Sequence, residues 1–78
     1  MNLFEAVPNI VKEEFEGVNI NDLTHFELLK YITQIEVRVW ENISLTPNPF
    51  NRSQVALMIQ NATNLLKENP ENYDDLLG

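Results

Sequence analysis

The segment from Thr24 to Ile43 constrains the fold more than any other part of the chain. On a helical wheel at about 100° per residue, its apolar side chains form two stripes and its polar side chains share one narrow strip. The first stripe comprises Leu28, Ile32, Ile35, Val39 and Ile43, and the second comprises Phe26, Leu29, Val37 and Trp40. A surface helix needs only one apolar stripe to face a core. This helix therefore lies between two neighbours, or it keeps one stripe for a partner.

The chain before this segment predicts one helix and a loop. Pro8 fits the first turn of a helix over about residues 7–16, because the first helical N–H groups have no intrahelical partner. Gly17 then ends that helix, since glycine readily adopts the positive φ of a helix C-terminus. The apolar residues 3–4 are expected to precede the helix as an irregular lead that folds back on the core. Residues 18–23 are expected to form a loop.

A capping signal marks the start of the second helix. Thr24 and Glu27 have the spacing of a capping box, in which each side chain accepts a hydrogen bond from the backbone N–H of the other residue. The second helix is therefore predicted over about residues 25–43. A loop over residues 44–50 follows, because its two prolines cannot continue a helix.

The last part of the chain predicts a third helix and a short fourth. Asn51 or Ser53 caps a helix over about residues 53–68 that carries a single apolar stripe. The Asn-Pro pair at 69–70 ends this helix and can begin a short one over about residues 70–77. The stripe of the third helix consists of Val55, Met58, Ile59, Ala62, Leu65 and Leu66.

These segments together predict an all-α fold, a small three-helix bundle with a short fourth C-terminal helix, forming one domain over residues 1–78. A chain of 78 residues buries a core of marginal size. It has no cysteine and therefore no disulfide to reinforce that core. Association with a partner or with a second copy is accordingly an expected source of extra stability.

Charge and composition narrow the classes of partner. Twelve acidic and five basic residues leave a net charge of −7, which disfavours nucleic acid and anionic membranes because both are bound through Lys and Arg. A protein, favourably one with a basic surface, is the expected partner. The N-terminus lacks a basic region followed by an apolar run, so we expect a cytoplasmic protein. Eleven asparagines suit the AT-rich genome of a low-GC bacterium or a phage.

The chain offers few residues for catalysis or for binding a cofactor. His25 is the one histidine, Ser44 and Ser53 are the two serines, and neither serine lies in a glycine-rich turn of the kind that exposes a nucleophile. Two glycines cannot form a phosphate-binding loop, and one histidine without cysteine does not make a zinc site. We therefore expect no enzymatic activity, no cofactor and no metal.

Candidate interface residues come from the second helix and the C-terminus. Glu36 lies between the two apolar stripes, either as a boundary residue that reaches solvent or as a polar contact in an interface. The second stripe is either an internal seam or a docking surface. The C-terminal segment either clips onto the bundle or docks into a groove of another protein. The candidate residues are Phe26, Leu29, Glu36, Val37, Trp40, Tyr73, Leu76 and Leu77.

Three functions fit this pattern. The favoured hypothesis is a non-enzymatic, protein-binding module such as an adaptor, inhibitor or accessory factor. The first alternative is a homo-oligomeric structural component that uses the spare stripe of the second helix. The second alternative is an acidic mimic of DNA that inhibits a DNA-binding protein, with carboxylates in two clusters. These clusters are Glu13, Glu14 and Glu16, and Glu68, Glu71, Asp74 and Asp75.

Overall fold

The fold is an all-α bundle, as the sequence predicts. The computed structural model describes residues 3–44 and 51–77, and for Leu3, Phe4, Ser44, Asp74 and Leu77 it describes the backbone alone. Within these ranges every regular element is helical. The elements are α1 (Leu3–Glu14), a 3₁₀ turn (Ile20–Asp22), α2 (His25–Ser44), α3 (Arg52–Glu68) and the short α4 (Tyr73–Leu77).

One apolar core joins these helices. α1 packs against both α2 and α3, while α2 and α3 contact each other less extensively. The molecule is only 18 Å deep along its shortest axis, which is the depth of two helical layers of about 10 Å each. The buried core residues are Val7, Ile10, Val11, Phe15, Ile20, Ile35, Val39, Val55, Ile59, Ala62, Leu66 and Tyr73.

The first helix begins four residues earlier than the sequence predicts and ends two residues earlier. α1 is helical from Leu3, so Pro8 lies inside the helix, and the predicted irregular lead over residues 3–4 is wrong for the backbone. Because Pro8 has no backbone N–H, α1 lacks only the hydrogen bond from residue 8 to the carbonyl of Phe4, close to the helix N-terminus. The first turns of the helix bury Ala6 and Val7. The packing of these two residues against the core accounts for the helical conformation.

The end of the first helix agrees with its sequence signal. Gly17 has a φ of +75°, and the preceding turn is closed by the N–H of Val18 donating to the carbonyl of Phe15 at 3.0 Å. The following segment is more regular than the predicted loop, because Ile20 is buried and initiates the 3₁₀ turn. The Asn21 side chain donates to the carbonyl of Lys67 at 3.3 Å, which connects this turn to the end of α3.

Capping interactions begin α2 and α3. The Thr24 N–H donates to Oε1 of Glu27 at 3.0 Å and the Glu27 N–H donates to Oγ1 of Thr24 at 3.2 Å, which confirms the predicted box. The bond from the Thr24 N–H lowers the pKa of Glu27. At the start of α3 the cap is Asn51 rather than Ser53, in a second capping box with Gln54. The predicted loop over residues 44–50 lies outside the described residues from position 45 onward.

The short C-terminal helix begins later than predicted. Residues 70–72 form a turn and α4 starts at Tyr73, because Asn69 caps the end of α3 with its N–H bonded to the carbonyl of Leu65. Asn69 therefore ends one helix and does not begin the next. Tyr73 is only 2% exposed, and its hydroxyl donates to the carbonyl of Pro8 at 3.0 Å. This contact holds α4 against α1.

Candidate functional site

The two apolar stripes of α2 have different environments. Ile35 and Val39, in the first stripe, are fully buried against the core. The remaining members of that stripe are partly buried and pack against the same core: Leu28, Ile32 and Ile43. The first stripe thus provides the deepest contact of α2 with the bundle, while Tyr31 and Trp40 of α2 also pack against the same core.

The second stripe of α2, here called the outer stripe, lies largely at the surface. Phe26 is 67% exposed, Leu29 46% and Val37 48%, while Trp40 is half-buried and packs against the edge of the core. Thr33 lies between Leu29 and Val37 on the same side of the helix and is also exposed. The structure therefore identifies the outer stripe as the exposed one, which the sequence pattern left undecided.

A shallow groove of about 880 Å³ borders the outer stripe where α2 and α3 diverge. Its described lining comes from these two helices alone, and Val55 forms its deepest apolar part because that side chain is buried. The other lining residues include Thr33, Val37, Trp40 and Ala56. The outer stripe and the groove share Thr33, Val37 and Trp40, so together they form one surface that an additional helix can contact.

Both acidic and basic residues border this surface. The ammonium of Lys30 lies 4.7 Å from the ring centroid of Phe26, a cation–π distance that holds the exposed ring in place. Glu36 is exposed and lines the groove, so its carboxylate reaches water and does not enter the core. Glu41 and Arg52 line the same groove. The position of Glu36 is compatible with either of its two predicted roles.

The C-terminal candidates separate into different environments. Tyr73 belongs to the core, so its ring is not available to a partner. Leu76 is 53% exposed, and the side chain of Leu77 lies outside the described part of the chain. The structure therefore brings Phe26, Leu29, Val37 and Trp40 together on α2 and does not add Tyr73 to their surface.

Sequence reasoning missed two residues of this surface. Thr33 was overlooked because it is polar, although its helical position at the middle of the outer stripe is readable from the spacing of its neighbours. Ala56 belongs to α3, and no pattern within α3 shows that it borders α2. Only the packing of the two helices reveals its place.

The histidine, and the serine whose side chain is described, lie at the surface. His25 and Ser53 are exposed residues of the first turns of α2 and α3. No group of three or more histidine, aspartate or glutamate side chains is placed to hold a metal ion within residues 3–44 and 51–77. None of the described helices combines the length and the hydropathy needed to cross a membrane.

Comparisons of the chain with protein-family models, with curated protein sequences and with solved structures yield no match.

Proposed function

We propose that this chain is a non-catalytic protein-binding module whose outer stripe on α2 docks another polypeptide. The observation that carries the proposal is the exposure of Phe26, Leu29 and Val37 in one row along a helix whose other apolar stripe is buried. Single exposed apolar residues are common on soluble proteins. A row of them, ending at a tryptophan and beside a groove, is typical of an interaction surface.

Burial by a partner accounts for the aromatic and aliphatic side chains in this row. Aromatic side chains contribute strongly to binding because they bury a large area with few rotatable bonds. Phe26 and Trp40 lie at the two ends of the outer stripe, and Leu29 and Val37 lie between them. The expected partner segment is an amphipathic helix, since a helix presents apolar residues with the same spacing.

The acidic-mimic alternative has less support. Arg38 of α2 contacts both Glu13 and Glu14 of α1, so two of the three carboxylates in the first cluster face a guanidinium. The side chain of Asp74, in the second cluster, lies outside the described residues.

Affinity capture from a lysate of the source organism tests the proposed function. The tagged chain is compared with a double variant, Phe26→Glu with Val37→Glu, and with Leu57→Glu as a control. Leu57 is a suitable control because it is 57% exposed on α3 and is absent from the outer stripe and its groove. Circular dichroism first establishes that all three chains are folded.

We expect the wild-type chain and Leu57→Glu to retain the same partner through a wash in about 1 M salt, because apolar contacts persist when charges are screened. The double variant is expected to lose that partner. Retention of the same proteins by all three chains would contradict the proposal. Loss of every partner from the wild type in high salt would instead favour a charge-based mimic.

A further inference from the structure

The outer stripe is symmetric about its central residue. Phe26 and Trp40 each lie seven positions from Thr33, and Leu29 and Val37 each lie four positions from it. On an α-helix all four fall within about 40° of the direction of Thr33. The row therefore has an aromatic residue at each end, an aliphatic residue inside each end, and a small polar residue at its midpoint.

We propose that the outer stripe binds the same stripe of a second copy of this chain, with the two α2 helices antiparallel and a two-fold axis at Thr33. This inference rests on the proposed function and names the polypeptide that docks. A two-fold contact is self-complementary, so residue i faces residue j and residue j faces residue i. Here Phe26 comes level with Trp40 of the second copy, and Leu29 comes level with Val37.

Charge favours a second copy over a basic partner. The chain carries a net charge of −7, so two copies repel unless they meet where the local charge is small. Lys30 flanks the outer stripe, and the groove beside it is lined by Glu36, Glu41 and Arg52. The formal charges of these four residues sum to zero. A basic partner finds no acidic surface there to recognise.

The length of the contact sets its strength. From Phe26 to Trp40 the helix spans about 21 Å, so one pair of crossing helices covers an area at the small end of specific protein interfaces, below about 1,200 Å². A contact of this size is expected to be weak and to dissociate readily. The dimer is therefore expected to form and dissociate over an accessible range of concentration.

Single cysteines test both the contact and its direction, because the chain has no cysteine of its own. In Thr33→Cys the two sulfurs meet at the two-fold axis, where the Cα atoms of packed helices come within disulfide range of about 4–7 Å. In Leu29→Cys the two copies of residue 29 lie about 12 Å apart along the helices, which is too far for a disulfide. Leu57→Cys supplies a control at an exposed site on α3.

We expect Thr33→Cys at about 100 µM to form covalent dimers at least tenfold faster under mild oxidation than either other variant. Equal rates for Thr33→Cys and Leu57→Cys would overturn the dimer. Rapid self-cross-linking of Leu29→Cys would overturn the two-fold axis at Thr33, because the two copies of residue 29 meet only in a parallel pair or about an axis shifted to residue 29.

Sedimentation equilibrium of the wild-type chain and of two glutamate variants gives a second readout. Val37→Glu should weaken self-association by at least tenfold, whereas Leu57→Glu should leave it unchanged. A wild-type chain that stays monomeric up to about 500 µM would also overturn the inference. The proposed function would then still stand if capture from the lysate depends on the outer stripe, and it fails if the outer stripe mediates neither that capture nor self-association.

Discussion

At the scale of single residues, Tyr73 connects the two ends of the described chain. Its ring is buried among core residues and its hydroxyl donates to the carbonyl of Pro8, 65 positions away in the sequence. Burial raises the pKa of Tyr73 to about 12. The sequence predicts that the C-terminal segment, which contains Tyr73, either packs onto the bundle or docks into another protein. The structure places the side chain of Tyr73 in the core.

The first prediction concerns Tyr73→Phe. The variant should lose about 1 kcal/mol of unfolding free energy at pH 7, because the hydrogen bond to Pro8 is removed while the ring still fills the core. The raised pKa means that the folded state holds the phenolic proton more tightly than the unfolded state does. Wild-type stability should therefore be complete below about pH 10 and should fall as the pH rises towards 12.

Denaturant unfolding of the wild type and of Tyr73→Phe between pH 7 and about 11.5 checks this prediction. The alkaline decline should be smaller in the variant, because no phenol is left at that site. Tyr31→Phe serves as the control, since Tyr31 is half-buried and stacks on Phe15 with ring centroids 4.9 Å apart. An alkaline decline of the same size in the wild type and in Tyr73→Phe would assign the effect to other groups.

At the scale of elements, local signals predict helix ends well where a side chain or a glycine closes the end. Thr24 with Glu27, Asn51 with Gln54, and Gly17 all act within their own turns. The start of α1 is different. It is decided by burial of Ala6 and Val7 beneath other helices, which outweighs the local preference of Pro8 for a first turn.

The second prediction concerns Gly17→Ala at the end of α1. The alanine Cβ would meet no atom within 4 Å, so any loss of stability arises from the positive φ alone. We expect a loss of about 1 kcal/mol in the free energy of unfolding, because an L-residue with a side chain is strained in this conformation. Gly17→Asn should lose less, since asparagine tolerates the left-handed region better.

Chemical denaturation of the three chains under the same conditions measures these differences. The order of stability should be glycine, then asparagine, then alanine. If alanine proved as stable as glycine, the φ of +75° would not be needed to end the helix in solution.

At the scale of the whole molecule, the charges and the apolar surface are separated. Arg38 links α2 to α1 by contacting Glu13 and, at 3.2 Å, Glu14. The hydrogen bond that Arg38 donates to the carboxylate of Glu13 raises the pKa of Arg38. Twelve acidic residues outnumber five basic ones, and the excess negative charge opposes compaction of the bundle.

The third prediction follows from this excess charge. The melting temperature should rise as NaCl increases from about 10 to 300 mM, because salt screens the repulsion among the acidic residues. Arg38→Gln should show a larger rise than the wild type, since it leaves Glu13 and Glu14 without their guanidinium. Arg52→Gln changes the net charge equally without touching that cluster, so it isolates the contribution of the cluster.

Thermal unfolding followed by circular dichroism at a fixed low protein concentration measures all three chains without interference from self-association. The two glutamine variants should differ mainly at low salt, by about 1 kcal/mol or less, because exposed ion pairs contribute little. A melting temperature that falls with salt in every chain would show that attractive ion pairs outweigh the repulsion.

By itself the sequence determined the helical class, the capping box of α2, the glycine stop and the two apolar stripes of α2. These features depend on the 3.6-residue period and on hydrogen bonds within a single turn, so they are readable without knowledge of neighbouring helices. The candidate residues Phe26, Leu29, Val37 and Trp40 were found in the same way.

Only the tertiary structure decided which stripe of α2 is buried, where α1 begins and that Tyr73 belongs to the core. Each of these outcomes depends on contacts between segments far apart in the chain, whose packing energy exceeds the local preferences of the residues involved. Phe26 and Ile35 are both apolar members of one helix. One is exposed and the other buried because α1 and α3 cover only one side of α2.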